Sequence, residues 1–453
     1  LKLLLQNKLK LLPKNKFSMK ISIATVFPDL YREFLSTSLI KRSYEKEIAS
    51  YDVVSFSSFC EPKERLDGPT VGHGSGMAIR PEVIQRMVDA QEEKHGKAYK
   101  IFVTPQGKKL DQRLVARLAD TFLKAEHILL VAGRYEGCDE RAQKEYADLE
   151  VSIGDYVLMG GDLPVMVLLE TVMRYVPGVV AKTDSVEKDS FTDCFVDFPT
   201  YTTPPREWHG QAIPEVLLSG NHAAMDTFRT EVAAKKSVKE HFQWVRSHCT
   251  DKKMKALAFR YMPSHYVVLM HDQVIVQEST VGTSSVTSLD IHDIARSCKT
   301  YGVKGYTLVT PLIDQRKIAE TILDFWHGAG ISYNRNRSEA VDLVSITHSL
   351  DQVIADIELK EGKRPLLIAT SAKNQGNLSR SITYFDQTQV WAHDRPVLIV
   401  LGTAKGLSDE LIARCDYLLL PLEGFTDFKH LSVRSAAAVI LDRWMGINLL
   451  QVD

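Results

Sequence analysis

Several classes of protein are ruled out by what this sequence lacks. Its 453 residues include six cysteines, at 60, 138, 194, 249, 298 and 415, widely scattered and without a Cys-x-x-Cys pair. That spacing argues against a disulfide framework and a zinc site, and it fits a reducing, cytoplasmic compartment. No apolar run reaches the roughly 18 residues a membrane-spanning helix needs, so no membrane partner is expected. Charge of one sign is also missing: 56 Lys and Arg stand against 57 Asp and Glu, a formal net charge of -1 at pH 7. A polyanionic partner is neither indicated nor excluded, and it would have to be met by a local basic surface. No Gly-x-Gly-x-x-Gly follows the first strand pattern, so an ordinary dinucleotide fold is not signalled.

What remains is an ordinary globular balance, 44% hydrophobic and 25% charged. The length exceeds what one hydrophobic core usually serves, so two or more domains are expected. Residues 1–18, LKLLLQNKLKLLPKNKFS, are basic and leucine-rich. They read better as a non-native or disordered extension upstream of Met19 than as an amphipathic targeting arm.

From Met19 onward strand and helix patterns alternate. A strand at 20–27 precedes a helix over about 28–39, then a strand at 53–57, the polar segment DGPTVGHGSGM at 67–77 and a helix at 81–94. Short loops between alternating elements predict an α/β fold with a largely parallel sheet covered on both faces. Three strands then end in distinctive loops: TPQG at 104–107, AGRYEG at 132–137 and GDYVLMGG at 154–161, followed by an apolar helix at 163–175. The second half repeats this order, with TSAKNQG at 370–376, GTAKG at 402–406, and a strand at 417–420 leading to a helix at 435–444. Gly133/Gly137 and Gly402/Gly406 share one spacing directly after an apolar strand. One matching glycine pair means little, but three loops in matching order imply a duplicated plan. Loops at the carboxyl ends of adjacent parallel strands form a crevice where α/β proteins bind ligands. Gly302 and Gly362 read instead as simple turn residues.

These segments carry a resemblance. TPQG (104–107), GRYEGCDER (133–141), SIGDYVLMGG (152–161), DSF (189–191) and LLSGNH (217–222) closely resemble the bacterial tRNA (guanine-N1)-methyltransferases that act on guanine 37. The match covers about 19–250. It implies the SPOUT class, whose deep trefoil knot binds S-adenosylmethionine in a bent shape. It also implies a tRNA rather than DNA substrate, an obligatory homodimer and assistance by Mg²⁺, for which no ligand motif is visible. From about 262 to 448 the chain resembles a SPOUT-type RNA methyltransferase domain of poorly defined substrate, through TSLDIHDIARSCKTYGVKGYTLVTPL (287–312), ATSAK (369–373) and HLSVRSAAAVILDR (430–443). The expected layout is two tandem trefoil-knotted domains, 19–183 and 262–453, separated by a linker and a helical tRNA-binding region at 184–261.

Methyl transfer from a sulfonium needs in-line placement, which can lower a barrier by roughly 7–11 kcal/mol. Guanine N1 carries a proton at neutral pH, so a base must remove it, and a cation should offset the charge moving to O6. By the resemblance, Asp189 of DSF is the base and reaches the other subunit's active site; its own surroundings, SVEKDSF, would also pass as a surface linker. Arg174, at the end of the apolar helix, would support O6, or simply cap the helix terminus. Glu136 would lie near the cofactor's methyl and amino group, or fix its loop. Cofactor contacts are expected from Pro105, Gln106, Gly107, Gly133, Gly137, Ser152, Ile153, Gly154, Tyr156, Leu158, Gly160 and Gly161. Much of this would be backbone recognition, with Tyr156 and Leu158 equally readable as core residues. Two departures from the family pattern are GHGSGM at 72–77 and TTP at 202–204; neither removes a catalytic group.

Beyond 205, Arg229, Lys235, Lys236, Lys239, Arg246, Lys252, Lys253, Lys255 and Arg260 are expected to meet phosphates, which position RNA without reading it. Trp208 and His209 read either as a base-stacking pair or as packed residues. In the second domain Gly402, Gly406, Leu420 and Ser432 are candidate cofactor contacts, with Arg434 and Asn374 as further polar candidates. No base is evident there, and His292 and Asp293 read as helix-stabilising residues. Ribose 2′-O-methylation is the competing enzymatic reading. A second domain that only grips RNA or supports the dimer is the non-catalytic one.

Overall fold

A computed structural model describes residues 19–72, 74, 76–181, 189–278, 280–373 and 378–449. The extension at 1–18 and the candidate Asn374 lie outside the described residues. The chain forms two compact units, 1–192 and 193–453.

The first unit is built on a five-stranded sheet. Its strands are β1 (Met19–Thr25), β2 (Ala49–Ser55), β3 (Ala98–Lys109), β4 (His127–Ala132) and β5 (Leu149–Ser152). All neighbours are parallel, in the order β2-β1-β4-β3-β5. Both faces are covered, and the two-residue period shows it. Ile21, Ile23, Ile128 and Leu130 enter one core layer. Ala24, Leu129, Val131 and Phe102 enter the layer on the other face.

Two local expectations need correction. The helix over 28–39 is two helices, Leu30–Leu35 and Ser38–Glu45. The hydroxyls of Ser36 and Thr37 turn back onto the Glu33 carbonyl, at 3.1 and 2.5 Å, and compete with helix continuation. TPQG does not follow the end of its strand either. β3 runs on to Lys109, and Val103 and Lys108 both pair with Val151, so residues 104–107 bulge out of the ladder.

The second unit repeats the plan with additions. Its main sheet has seven strands, β6 (His265–Met270), β7 (Gly305–Val309), β8 (Val344–Thr347), β9 (Leu366–Thr370), β10 (Ser381–Ile382), β11 (Val397–Gly402) and β12 (Tyr417–Leu419). The order is β8-β7-β6-β11-β9-β12-β10, all parallel. Without the edge strands β8 and β10, this is the strand order of the first unit. Gly302 and Gly362 end the helices Ser288–Tyr301 and Leu350–Glu361 at φ of 75° and 71°, the left-handed cap glycine adopts without a Cβ clash.

The helices His222–Glu240, Phe242–His248 and Lys252–Tyr261 belong to this second unit. Arg246 is a correction to the expected phosphate contacts. It is 7% exposed, and its guanidinium donates to the carbonyls of Asp442, Arg443 and Gly446 at the end of helix Val433–Met445. A helix terminus leaves such carbonyls unpaired, and the buried cation satisfies them.

Candidate cofactor crevices and the Arg174–Asp189 pair

In the first unit the candidate cofactor residues gather where β3, β4 and β5 end. After β4 the chain turns through Gly133–Gly137. Tyr135 takes φ 61° and Gly137 φ 105°, and Gly137 N–H closes the turn onto the Arg134 carbonyl at 2.9 Å. The segment after β5 returns across this turn: Gly161 N–H donates to the Gly133 carbonyl at 2.7 Å, and Arg134 bridges Gly160. A Cβ on Gly161 would lie 2.7 Å from Val103 Cγ2 and 2.8 Å from Gly133 N, so only glycine fits between the ends of β3 and β4. Pro105, Gln106, Tyr156 and Leu158 are exposed at this rim, Ser152 is buried, and Gly107, Gly133, Gly137, Ile153, Gly154 and Gly160 are half-buried. The Ser152 hydroxyl donates to the Gly154 carbonyl at 3.1 Å, and the Tyr156 ring lies over Gly154. Glu136 rests against Gly76 of the glycine-rich segment, and its N–H donates to the Met77 carbonyl at 2.9 Å.

The crossing helix, Asp162–Met173, is pinned at its start. Asp162 is 4% exposed and accepts from Thr25 Oγ1 at 2.5 Å and Tyr31 OH at 3.1 Å. A carboxylate at a helix N-terminus is favoured by the dipole. Burial first, and then the Asp162 charge, push the Tyr31 hydroxyl far above its ordinary pKa, so it stays a donor. Sequence reading passed over Asp162, Tyr31 and Arg134, whose guanidinium sits 4.9 Å over the Phe27 ring. The one available signal was an acid directly between Gly-Gly and an apolar helix.

Arg174 and Asp189 are brought together. Arg174 Nε donates to Asp189 Oδ2 at 2.6 Å and Nη2 to Oδ1 at 2.7 Å, a bidentate pair. Arg174 caps the far end of the 12-residue crossing helix, which begins beside Gly161. At 1.5 Å per residue that helix is about 18 Å long, so within one chain this pair and the start of that helix are at opposite ends.

The turn after β11 in the second unit repeats the first turn's backbone conformation and its closing hydrogen bond. Ala404 takes φ 53° and Gly406 φ 103°, and Gly406 N–H donates to the Thr403 carbonyl at 2.9 Å. Its outer bonds differ: Glu136 N–H and the Gly137 carbonyl pair with Met77 and Ile79 of a segment running parallel, whereas Lys405 N–H and the Gly406 carbonyl both pair with Ile275 of one running antiparallel, each bond at 2.9 Å. Leu420 is half-buried beside β10, donating its N–H to Ile382, and Ser432 caps helix Val433–Met445. Arg434 donates to the buried Asp290 at 2.9 Å and lies 3.6 Å from Asp293. His292 packs edge-on against Trp326.

A polar relay under this turn was not foreseen. Thr403 Oγ1 donates to the Met270 carbonyl at 2.8 Å, so it accepts from Ser284 Oγ at 2.6 Å, which in turn accepts from His271 Nδ1–H at 3.0 Å. Trp208 is 68% exposed on the hairpin Glu207–Trp208/Gln211–Ala212, with His209 edge-on to it, so it is not a packed core residue.

Two tandem parallel α/β units, each with a glycine turn after a central strand, define a protein of the SPOUT methyltransferase class. Comparison narrows this. The family model described as tRNA (Guanine-1)-methyltransferase TrmD matches residues 19–246, and one described as SAM-dependent RNA methyltransferase matches 264–446. The tRNA (guanine-N(1)-)-methyltransferases of Nitratidesulfovibrio vulgaris and Oleidesulfovibrio alaskensis are 33% and 32% identical, over 94% of this chain and 99% of each relative. That of Mycoplasmopsis synoviae is 42% identical over 49% of this chain and 94% of its own length. A solved tRNA (m1G37) methyltransferase from Aquifex aeolicus is 31% identical over 47% of this chain and 87% of its own, with a TM-score of 0.40. The chain belongs to the tRNA (guanine-N1)-methyltransferase family and carries a second, SPOUT-like RNA methyltransferase domain. Its activity is S-adenosylmethionine-dependent methylation of guanine N1 in tRNA. No helix among the described residues is long and apolar enough to cross a membrane.

Proposed function

We propose that the first unit methylates guanine 37, with Asp189 as the base, Arg174 as the cation near O6 and Glu136 beside the cofactor's charged end. The observation that carries this is the bidentate Arg174–Asp189 pair. It holds a carboxylate and a guanidinium side by side, the two charges an N1 deprotonation needs. Each carboxylate oxygen holds one of these bonds and keeps a further lone pair with which Asp189 can accept the N1 proton; protonation weakens the ion pair, and the guanidinium can then turn to O6. S-adenosylmethionine supplies an electrophilic methyl group on a sulfonium. The open glycine turn at 133–137, where nothing lies within 4 Å of a Cβ built on Gly137, leaves backbone exposed for its adenosine. Among the described residues no three His, Cys, Asp or Glu side chains converge as a metal site.

The length of the crossing helix supports a site shared between two copies, in which Asp189 of one chain serves the cofactor crevice of the other. The exposed Lys235, Lys236, Lys239, Lys252 and Lys253 support a phosphate-binding face. The test uses labelled cofactor and unmodified tRNAs with G or A at position 37, with products mapped by nucleoside mass spectrometry. 1-Methylguanosine at another position would reject the position-37 reading. With cofactor held well below the Kd of the Gly161→Ala chain, mixing Asp189→Ala chains with Gly161→Ala chains should raise activity above that of either alone if sites are shared; no gain rejects sharing.

A second reading has its own support. The turn at 402–406 repeats the backbone conformation and closing hydrogen bond of the turn at 133–137, which favours a second cofactor crevice formed with Leu420 and Ser432. Equilibrium dialysis of the full chain should then find two cofactor equivalents per chain, falling to one in Gly406→Val. One equivalent in the unaltered protein rejects the reading.

A further inference from the structure

The helical part of the second unit forms an open pocket of about 440 Å³, lined by none of the residues assigned to either cofactor crevice. Its walls come from three stretches: the two helices over 242–261, the end of helix Ser288–Tyr301 with Gly302, and the end of helix Val433–Met445 with Gly446 and Ile447. Apolar and aromatic side chains dominate, with Phe242, Phe259, Met262 and Tyr301 among them. The charged residues in the lining are Arg246, Lys255 and Lys299; no Asp or Glu contributes. Arg246 is used up on the three carbonyls at the end of Val433–Met445. That leaves two ammonium groups beside an aromatic wall.

We propose that this pocket receives one unstacked nucleotide of the bound tRNA, its base against the aromatic wall and its phosphate between Lys255 and Lys299. The volume falls within the range of small-ligand pockets. Splayed-out bases are held in this way, by stacking on aromatic rings beside a cationic track. The track is present: Lys252 is exposed about one turn before Lys255 on the same helix. A lining without a single carboxylate favours an anionic ligand, and the family's activity supplies a polyanion. The inference therefore rests on the tRNA methyltransferase reading and adds to it a contact far along the sequence from the chemistry.

The test uses the full-length protein and an unmodified tRNA transcript with guanine at position 37. Lys255→Ala/Lys299→Ala removes the phosphate contact. Thr300→Trp places a bulky ring at the mouth from an exposed position that lines the pocket. The expected result is a KM for tRNA raised about tenfold in each variant, with kcat retained. In the double lysine variant the slope of log KM against log salt should also be shallower by about one. An unchanged thermal midpoint checks the fold. KM and salt slope unchanged in both variants would overturn the proposal while methylation at guanine 37 continued. Absence of 1-methylguanosine from the unaltered enzyme would instead strike the underlying reading.

Discussion

Replacing Gly161 by alanine probes the crossing on which the first cofactor crevice depends. Its φ of -81° and ψ of -3° suit any residue, so only space is at issue. The new Cβ would meet Val103 Cγ2 at 2.7 Å, Gly133 N at 2.8 Å and Ala132 Cα at 2.9 Å. Two of these are backbone atoms at the end of β4, held by the Gly161–Gly133 hydrogen bond, so the neighbours cannot simply rotate away. Overpacking of this kind costs about 1–3 kcal/mol, and three simultaneous contacts argue for the upper end. For a domain of roughly 150–250 residues, about 3 kcal/mol lowers the unfolding midpoint by about 6–12 °C. Spreading the turn from the crossing segment should also weaken cofactor binding about tenfold, or about 1.4 kcal/mol. Differential scanning calorimetry and equilibrium dialysis measure the two effects. Gly137→Ala is the control: its surroundings are open but its φ is 105°, so the cost is backbone strain of about 1 kcal/mol. A Gly161→Ala protein that melts within about 2 °C of the original and binds cofactor equally tightly would refute the steric argument.

Asp189→Asn should lower kcat by about 10²–10⁴, the usual worth of a general base, and leave cofactor affinity intact; a kcat within about threefold of the original would contradict the base assignment. In the second unit, burial pushes His265 down to about 4, and Trp444 Nε1–H donates to its Nε2 at 3.0 Å, holding it neutral. A folded value below the unfolded value of about 6.5 means the unfolded chain protonates first. Stability is therefore full above about pH 6.5 and declines by up to roughly 3 kcal/mol as pH falls towards 4. Urea unfolding at several pH values follows this, and a flat profile across that window would count against it. Arg246→Met should destabilise the second unit by about 3 kcal/mol by stranding helix-end carbonyls, while the salt slope of tRNA binding stays unchanged. A shallower slope would return Arg246 to the phosphate face.

Much of the site was legible because its parts are contiguous. GRYEG and GDYVLMGG each follow a strand and TPQG bulges from one, and parallel strands bring their carboxyl ends to one side wherever each strand lies in the sheet. The duplication could be read for the same reason, since it depends on the order of loops along the chain. Trp208 could not be settled this way, because burial depends on which remote segments arrive; it stands exposed on a hairpin tip. Arg246 was misjudged for the same cause, since its partners at 442–446 lie roughly 200 positions away.

The sequence by itself determined the α/β alternation, the tandem plan and the glycine turns, because periodicity and local φ requirements are written in neighbouring residues. Only the tertiary structure decided the crossing of Gly161 between β3 and β4 and the bidentate grip of Arg174 on Asp189. It also decided the repeat of one turn's closing hydrogen bond in the second unit. These rest on distances between residues far apart in the chain, which close packing sets and local pattern does not encode.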